Sequence, residues 1–235
     1  MKPLTWLFIG GGVLVVAVLV FLGVWYFTNE SDKVGEEFQP TMNAAERDLD
    51  DFWDERFDEL GFGEYYESPD RVEYYDPEDP QQTACGETIP NNAFYCPPDN
   101  SIWMDEVFLE NQFDTVGAFA PVFILAHEWA HMLQQHLGIL EAISFTIQTE
   151  LQADCFAGVY TRDLDERDLI TEENLKEAIV QLIQVGDPAI IPWWAPSAHG
   201  EPEERVTAYV AGYDGGWDAC IEDPPFVPPM VDPAN

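Results

Sequence analysis

The chain has 235 residues, 46% of them hydrophobic, which is enough for one sizeable globular core but not for two. Its 45 acidic residues against 9 basic ones give a formal charge of −36, and such a surface repels nucleic acid. The composition therefore excludes nucleic acid as a partner. The acidic residues also repel one another, which fits a salt-rich habitat or cationic partners. A surface whose charge merely keeps the protein soluble would explain the acidic composition equally well.

The N-terminal segment has the features of a membrane anchor. Leu4 to Phe27 contains no charged residue, and 24 residues at about 1.5 Å each would cross a hydrocarbon core of about 30 Å. A cleaved secretion signal is the alternative, but its apolar centre would be shorter and followed by a small-residue cleavage site. Residues 1–27 are therefore predicted to form one transmembrane helix. The positive charge of Lys2 predicts a cytoplasmic N-terminus and an extracytoplasmic domain.

A polar, acidic linker over residues 28–40 is predicted to precede a domain over residues 41–221. The domain would begin with a helix capped by Thr41 or Asn43 and ended by Gly61, because apolar residues recur along it every three or four positions.

Short strands are predicted after this helix. Arg71–Tyr75 is one, in a segment otherwise rich in Tyr, Asp, Glu and Pro. Asn92–Cys96 and Ser101–Met104 are two more, joined by the turn-forming residues 97–100. We expect a small hairpin sheet there.

The second half of the chain is predicted to be helical. One of its helices is capped by Thr171 and ended by Gly186. Residues 222–235 contain five prolines and are predicted to form a flexible tail. The fold class is therefore α+β, mainly helical with a small β-sheet. The four helices predicted here are Ala120–Gly138, Glu141–Tyr160, Thr171–Gly186 and Pro202–Gly212.

Two histidines in the Ala120–Gly138 helix have the spacing of metal ligands. His127 and His131 lie four residues apart, so both project from one helix face and could bind one ion. Glu128 lies between them, where a carboxylate can take a proton from a metal-bound water. The surrounding residues are mostly apolar, and buried polar groups need partners. We therefore prefer a metal site to a pair of surface histidines.

A catalytic zinc needs a third protein ligand, and Glu150 is our candidate. Glu150 and Asp154 are again four residues apart on a predicted helix, so Asp154 could accept a hydrogen bond from a ligand histidine. Leu137 occupies the position where some zinc peptidases have a third histidine, which argues against that subclass. His136 should face another side of the helix and is left out of the site.

A hydrolytic site also needs a donor for the oxyanion that forms when water attacks an amide. His199 is the candidate, with Arg205, Tyr209 and Tyr213 as rivals. A capping or surface role for His199 is the alternative.

Four cysteines lie in the predicted extracytoplasmic part, where disulfides persist. Three connectivities are possible, and we favour Cys85 with Cys96 and Cys155 with Cys220. Four buried thiols are the alternative, and no C-x-x-C pair indicates a thiolate metal site.

These residues resemble the bacterial neutral zinc metallopeptidases, which are similar to the glutamate-ligand zincins typified by thermolysin. The resemblance runs from about Ala44 to Cys220. It is carried by Cys85-Gly86, Phe94-Tyr95-Cys96-Pro97, the His127–His131 motif, Glu150–Gly158, and His199-Gly200 with Arg205.

The resemblance implies a zincin-like fold, one Zn²⁺ ion bound by His127, His131 and Glu150, and Glu128 as general base. It also implies that Asp154 supports a ligand histidine and that an N-terminal anchor is present. Three positions depart from the family pattern, none of them a proposed ligand: Ala130, Met132 and Glu204.

The residues Asn92–Tyr95 are similar to the edge strand on which thermolysin-like enzymes bind a peptide substrate; core packing is the alternative. The predicted function is zinc-dependent peptide hydrolysis with Glu128 as general base, on a peptide or protein substrate. A non-catalytic zinc-binding envelope scaffold is the alternative, and the intact Glu128 argues against it. A structural zinc would need a fourth protein ligand, and the sequence offers no evident one.

Overall fold

The computed structural model describes residues 37–142 and 145–221. The architecture is α+β and mainly helical, as predicted. The helices are α1 (Phe38–Glu59), α2 (Glu106–Thr115), α3 (Phe119–His136), α4 (Ile139–Ala142), α5 (Thr146–Glu166), α6 (Glu172–Val185) and α7 (Pro202–Ile221), and the strands are β1 (Arg71–Tyr75), β2 (Gln82–Thr83), β3 (Gly86–Glu87), β4 (Ala93–Cys96) and β5 (Ser101–Asp105).

Helix α1 begins earlier than predicted, at Phe38 instead of near Thr41. The reason is Pro40, which looked like part of the linker. Proline is well tolerated in the first turn of a helix, because the backbone N–H that it lacks has no partner there. The apolar face of α1 then packs into the core through Leu49, Trp53 and Phe57, which are at most 1% exposed.

The sheet has three strands in the order β1-β5-β4, with β1 parallel and β4 antiparallel to β5. All five residues of β5 are buried, so this central strand is covered on both faces. Strand β1 has the predicted bounds, and β4 and β5 lie within one residue of the predicted hairpin strands. Because β4 is at an edge of this sheet, one side of its backbone remains available to other partners.

Two short elements were not predicted. Strands β2 and β3 form a two-residue antiparallel pair, too short for any alternation of apolar residues to show. Helix α2 follows β5 directly, and its N-cap is Asp105, whose side chain accepts a hydrogen bond from the Phe108 N–H. Only Leu109 is buried in α2, so its apolar periodicity is weak.

The bounds predicted for two helices of the second half of the chain were wrong. Instead of one helix over Glu141–Tyr160, α5 begins at Thr146 after an extended Phe145, and continues to Glu166. Helix α7 continues past Gly212 to Ile221, although Gly216 has non-helical dihedral angles. The N-terminal end of α6 is as predicted, with Thr171 and Asn174 forming a capping box.

Gly212 is a packing residue rather than a helix stop. A Cβ atom at Gly212 would collide with the backbone carbonyl of Cys155, and one at Gly158 would collide with that of Tyr209. Glycine at both positions lets α5 and α7 approach closely. This close contact fixes α5, the helix that carries Glu150 and Asp154.

The two favoured disulfides are present. Cys85 bonds to Cys96 across 11 residues and fastens the β2–β3 turn to β4, and Cys155 bonds to Cys220 across 65 residues and joins α5 to α7. No cysteine in residues 37–142 and 145–221 is free.

The predicted transmembrane segment Leu4–Phe27 and the tail 222–235 lie outside the described residues. Within the described part of the chain, no helix is both long and apolar enough to cross a membrane.

Removing the α5–α7 disulfide is predicted to destabilise the protein more than removing the other one. Closing the longer loop removes more chain entropy from the unfolded state, which gives a difference of about 1.5 kcal/mol. Urea unfolding of metal-free Cys155→Ala/Cys220→Ala and Cys85→Ala/Cys96→Ala would measure it. Equal losses, or a larger loss for the second pair, would contradict the prediction.

Candidate metal centre

Helix α3 runs through the core, and its polar residues stand out against that setting. From Phe119 to Ala130 every residue is buried, yet His127 and Glu128 are each only 7% exposed. The imidazoles of His127 and His131 lie on the same face one turn apart, with their Nε2 atoms 3.1 Å from each other. Two buried nitrogen atoms at this distance need a proton or a cation between them.

Helix α5 packs against α3 and brings Glu150 to the two histidines. Glu150 Oε2 lies 3.2 Å from His127 Nε2, and Oε1 lies 3.5 Å from His131 Nε2. In a tetrahedral zinc shell with bonds of about 2.0–2.1 Å, neighbouring ligand atoms are about 3.3 Å apart. The two imidazole nitrogens and the two Glu150 oxygens thus lie at distances close to those between ligands of one zinc ion, and the three residues form a His-His-carboxylate group that could hold a metal ion.

The electrostatics of the three residues favour a cation at their centre. Burial would lower the pKa of His127, but hydrogen bonds and charge from Asp154 and Glu150 raise it to about 10. Burial alone would raise the pKa of Glu150. The hydrogen bonds with His127 and His131 outweigh the effect of burial and keep this pKa well below its usual value. The raised pKa of His127 and the lowered pKa of Glu150 both show that a positive charge is favoured at this point, and a divalent ion can supply it in place of protons.

His127 is oriented by a buried ion pair. Its Nδ1 lies 2.9 Å from Asp154 Oδ1, which leaves Nε2 facing Glu150 and His131. Arg205 donates to both Asp154 oxygens at 2.8 Å, from Nε and from Nη2. Burial opposes ionisation of Asp154, but the Arg205 charge lowers its pKa. Asp154 thus contacts both His127 and Arg205.

Glu128 projects from α3 toward the edge strand β4. Its Oε2 accepts a hydrogen bond of 2.9 Å from the backbone N–H of Tyr95. This contact fixes the carboxylate beside the three candidate ligands.

The candidate ligands and Glu128 all line one cleft of about 440 Å³. Strand β4 forms one side, and the end of α6 with the segment before α7 forms the other. The remaining lining residues are Asn91, Asn92, Ala93, Phe94, Tyr95, Phe108, Phe123, Ile124, Val185, His199 and Arg205.

Of the four candidate oxyanion donors, only His199 keeps a side chain available at the cleft. Its side chain is 50% exposed, and its backbone N–H donates to Asp187 Oδ2 at 2.6 Å. Arg205 is committed to Asp154, Tyr209 packs its buried ring against Phe123, and the Tyr213 hydroxyl donates to Asp165. The role of His199 stays a prediction.

Gln134 is a site residue that the sequence analysis missed. Its Oε1 lies 2.8 Å from His131 Nδ1, on the side of the ring away from Glu150. The signal was its position three residues after His131, which puts it on the neighbouring turn. His136 does not join the group, and burial lowers the pKa of its imidazole.

The chain is similar to a known protein family and to several bacterial proteins. The chain matches the model of the family described as "putative neutral zinc metallopeptidase" over residues 26–221. It is 28% identical to the uncharacterized protein YpfJ of Escherichia coli over 193 residues, covering 71% of this chain and 64% of YpfJ. It is also 28% identical to the uncharacterized protein Rv2575 of Mycobacterium tuberculosis, covering 57% of this chain and 56% of that protein. No solved structure matches the chain.

Zinc is predicted to raise the thermal stability of the metal-free protein, because it binds the folded state and not the dispersed ligands of the unfolded one. At about 100 times the dissociation constant, the gain is about 2.7 kcal/mol. His127→Ala should remove the zinc-dependent shift in melting temperature, whereas His136→Ala, on the same helix, should keep it. A full shift in His127→Ala would remove His127 from the centre.

Arg205→Ala is predicted to destabilise the metal-free protein by about 3–5 kcal/mol, because it leaves the Asp154 charge buried without its partner. Arg162→Ala, which removes the exposed pair with Glu166, is the control and should cost little. Chemical unfolding of both variants measures the difference. Similar small losses would show that the buried pair does not matter.

Proposed function

Because the chain belongs to the putative neutral zinc metallopeptidase family, we propose that it is a zinc-dependent peptidase that hydrolyses peptide bonds with water. The observation that carries this proposal is the convergence of His127, His131 and Glu150, with ligand atoms 3.1–3.5 Å apart, in the wall of an open cleft that also contains Glu128. Three protein ligands leave a fourth position for water or substrate, as in catalytic zinc sites.

When bound, a zinc ion would supply Lewis acidity, polarising the scissile carbonyl and lowering the pKa of a coordinated water to about 7. Glu128 acts as general base: its carboxylate takes the proton of the attacking water and then returns it to the leaving amine. The Tyr95 N–H keeps the carboxylate in place during both transfers. His199 donates a hydrogen bond to the oxyanion that develops on the substrate.

Strand β4 is the proposed site for the substrate backbone. Tyr95 directs its N–H away from β5, toward Glu128, and the Asn92 carbonyl accepts from Asp105 on the β5 side. Backbone direction alternates along a strand, so the N–H and C=O of Ala93 also point away from β5. An extended peptide could pair with Ala93 and thereby place its scissile bond near Glu128.

The proposed setting is a single-pass membrane protein with a cytoplasmic N-terminus and an extracytoplasmic peptidase domain. The uncharged stretch Leu4–Phe27 and the two disulfides support it. The chain spans under two thirds of the length of the curated relatives that it matches, at 64% and 56%. The substrate class is a peptide or protein, and the charge of −36 favours basic ones.

Glu128→Gln is predicted to retain zinc and to lower the rate of peptide hydrolysis by about 10²–10⁴-fold, because an amide cannot take up the proton of water. The amide oxygen can still accept from the Tyr95 N–H, so the fold should persist. Hydrolysis of a mixed peptide library and zinc content by mass spectrometry would both be measured, with exposed Glu110→Gln as control. Unchanged hydrolysis in Glu128→Gln would remove Glu128 from the mechanism. A wild type that binds zinc but cleaves no peptide would instead favour the non-catalytic alternative.

His199→Ala is predicted to lower kcat by about 10²–10³-fold with little change in KM, because its hydrogen bond strengthens only as the oxyanion develops. Steady-state kinetics separate the two parameters. A change confined to KM would instead indicate a substrate-binding role.

A further inference from the structure

Two buried glutamines next to the metal centre have no role in the chemistry proposed above. Gln134 on α3 is 0% exposed and Gln152 on α5 is 7% exposed. A primary amide brings two donors and an acceptor into the core, and burying these without partners costs free energy. Both side chains instead have hydrogen-bond partners, and together they form a chain of hydrogen bonds that begins at the candidate metal ligand His131.

The chain of contacts runs from His131 to the backbone of α7. His131 Nδ1 lies 2.8 Å from Gln134 Oε1, and Gln134 Nε2 donates to the Thr149 carbonyl at 2.8 Å and to Gln152 Oε1 at 3.0 Å. Gln152 Nε2 then donates to the carbonyl oxygen of Cys220 at 3.0 Å. We call these two glutamines, with the carbonyls of Thr149 and Cys220, the glutamine relay.

The far end of the relay fixes the direction of every hydrogen bond in it. A backbone carbonyl can only accept, so the Gln152 amide must turn its NH₂ toward Cys220 and its oxygen toward Gln134. The Gln134 amide must then turn its NH₂ toward Gln152 and Thr149, which leaves its oxygen for His131. Because that oxygen can only accept, His131 must carry a proton on Nδ1.

This result determines which nitrogen of His131 can bind metal. A neutral imidazole with its proton on Nδ1 has its lone pair on Nε2, the atom that faces His127 and Glu150. His127 reaches the same tautomer through a charged partner, Asp154 with Arg205. The two histidines are thus oriented by different means, one ionic and one by neutral amides.

The relay is anchored where the Cys155–Cys220 disulfide joins α5 to α7. Cys220 is fully buried, and its bond to Cys155 fixes the carbonyl at the far end of the relay. Gln152 lies two residues after Glu150 on α5, so its hydrogen bond with Gln134 also connects α5 with α3.

We propose that Gln134 and Gln152 are positioning residues of the metal centre, and that the glutamine relay holds His131 in the Nδ1–H tautomer with Nε2 directed at the ion. The inference rests on the proposed function only in requiring that the centre bind zinc. It requires no peptidase activity.

The test is the zinc affinity of variants in which an amide is replaced by methionine, a side chain of similar size without comparable hydrogen-bonding groups. Affinity is measured by competition with a chelator on the folded full-length protein. Gln134→Met should weaken zinc binding by about 10–100-fold, the usual effect of losing the partner of a ligand histidine. Gln152→Met should weaken it less, because the Thr149 carbonyl still orients Gln134. Gln135→Met, one position along α3, is the matched control and should bind as the wild type does.

The double variant Gln134→Met/Gln152→Met distinguishes a relay from two separate effects. If the residues act in series, the double variant binds zinc no more weakly than Gln134→Met alone. In the zinc-loaded wild type, NMR with ¹⁵N-labelled histidine should also show a slowly exchanging Nδ1–H on His131, and exchange should be faster in Gln134→Met. If Gln134→Met does not fold, the zinc affinity of Gln152→Met and the exchange rate of the His131 Nδ1–H in the wild type still test the proposal.

Three results would each overturn the proposal. They are wild-type zinc affinity in both Gln134→Met and Gln152→Met, additive losses of affinity in the double variant, and a His131 Nδ1 proton that exchanges freely. Peptide hydrolysis is measured separately in the wild type. A wild type that binds zinc with these variant effects but cleaves no peptide would leave the relay standing and remove the peptidase assignment.

Discussion

The crossing of α3 and α5 places two imidazoles and a carboxylate within 3.1–3.5 Å of one another in a largely buried position. Groups of this kind are costly to remove from water unless a cation neutralises the carboxylate and occupies the nitrogen lone pairs. The surrounding structure must therefore hold the elements that carry these groups in place.

Several features outside the centre fix these elements. Gly158 and Gly212 allow α5 and α7 to touch backbone to backbone, and the Cys155–Cys220 bond prevents them from moving apart. The second disulfide ends at Cys96, next to the residue whose N–H holds Glu128. Each disulfide is thus adjacent in sequence to a residue that contacts Glu128 or a candidate metal ligand. The two disulfides support the proposed extracytoplasmic setting.

Helical periodicity explains how much of the centre could be predicted from the sequence. Two residues four positions apart must share a helix face, and this rule places His131 beside His127 and Asp154 beside Glu150 before any tertiary structure is known. The pairing of α3 with α5 does not follow from the rule. It came instead from the need of zinc for a third ligand and from the family resemblance.

The features that were missed depend on tertiary contacts. Gly212 has the local signature of a helix end, and only the neighbouring Cys155 carbonyl reveals it as a packing residue. Gln134 is an ordinary helix residue by propensity. It contacts Gln152, which lies 18 positions away, and Gln152 in turn contacts Cys220, 68 positions further along the chain. Similarly, Arg205 was a plausible oxyanion donor until its two bonds to Asp154 were seen. Buried polar networks join distant parts of a chain, so sequence spacing alone does not expose them.

X-ray absorption at the zinc edge of the zinc-loaded protein measures the metal's ligands. We expect two imidazole nitrogens at about 2.0–2.1 Å and oxygen ligands at about 2.0–2.2 Å, of which one is an exchangeable water, with no sulfur in the shell. A sulfur ligand, a shell closed by a fourth protein side chain, or a zinc ion bound without the two imidazoles would contradict it.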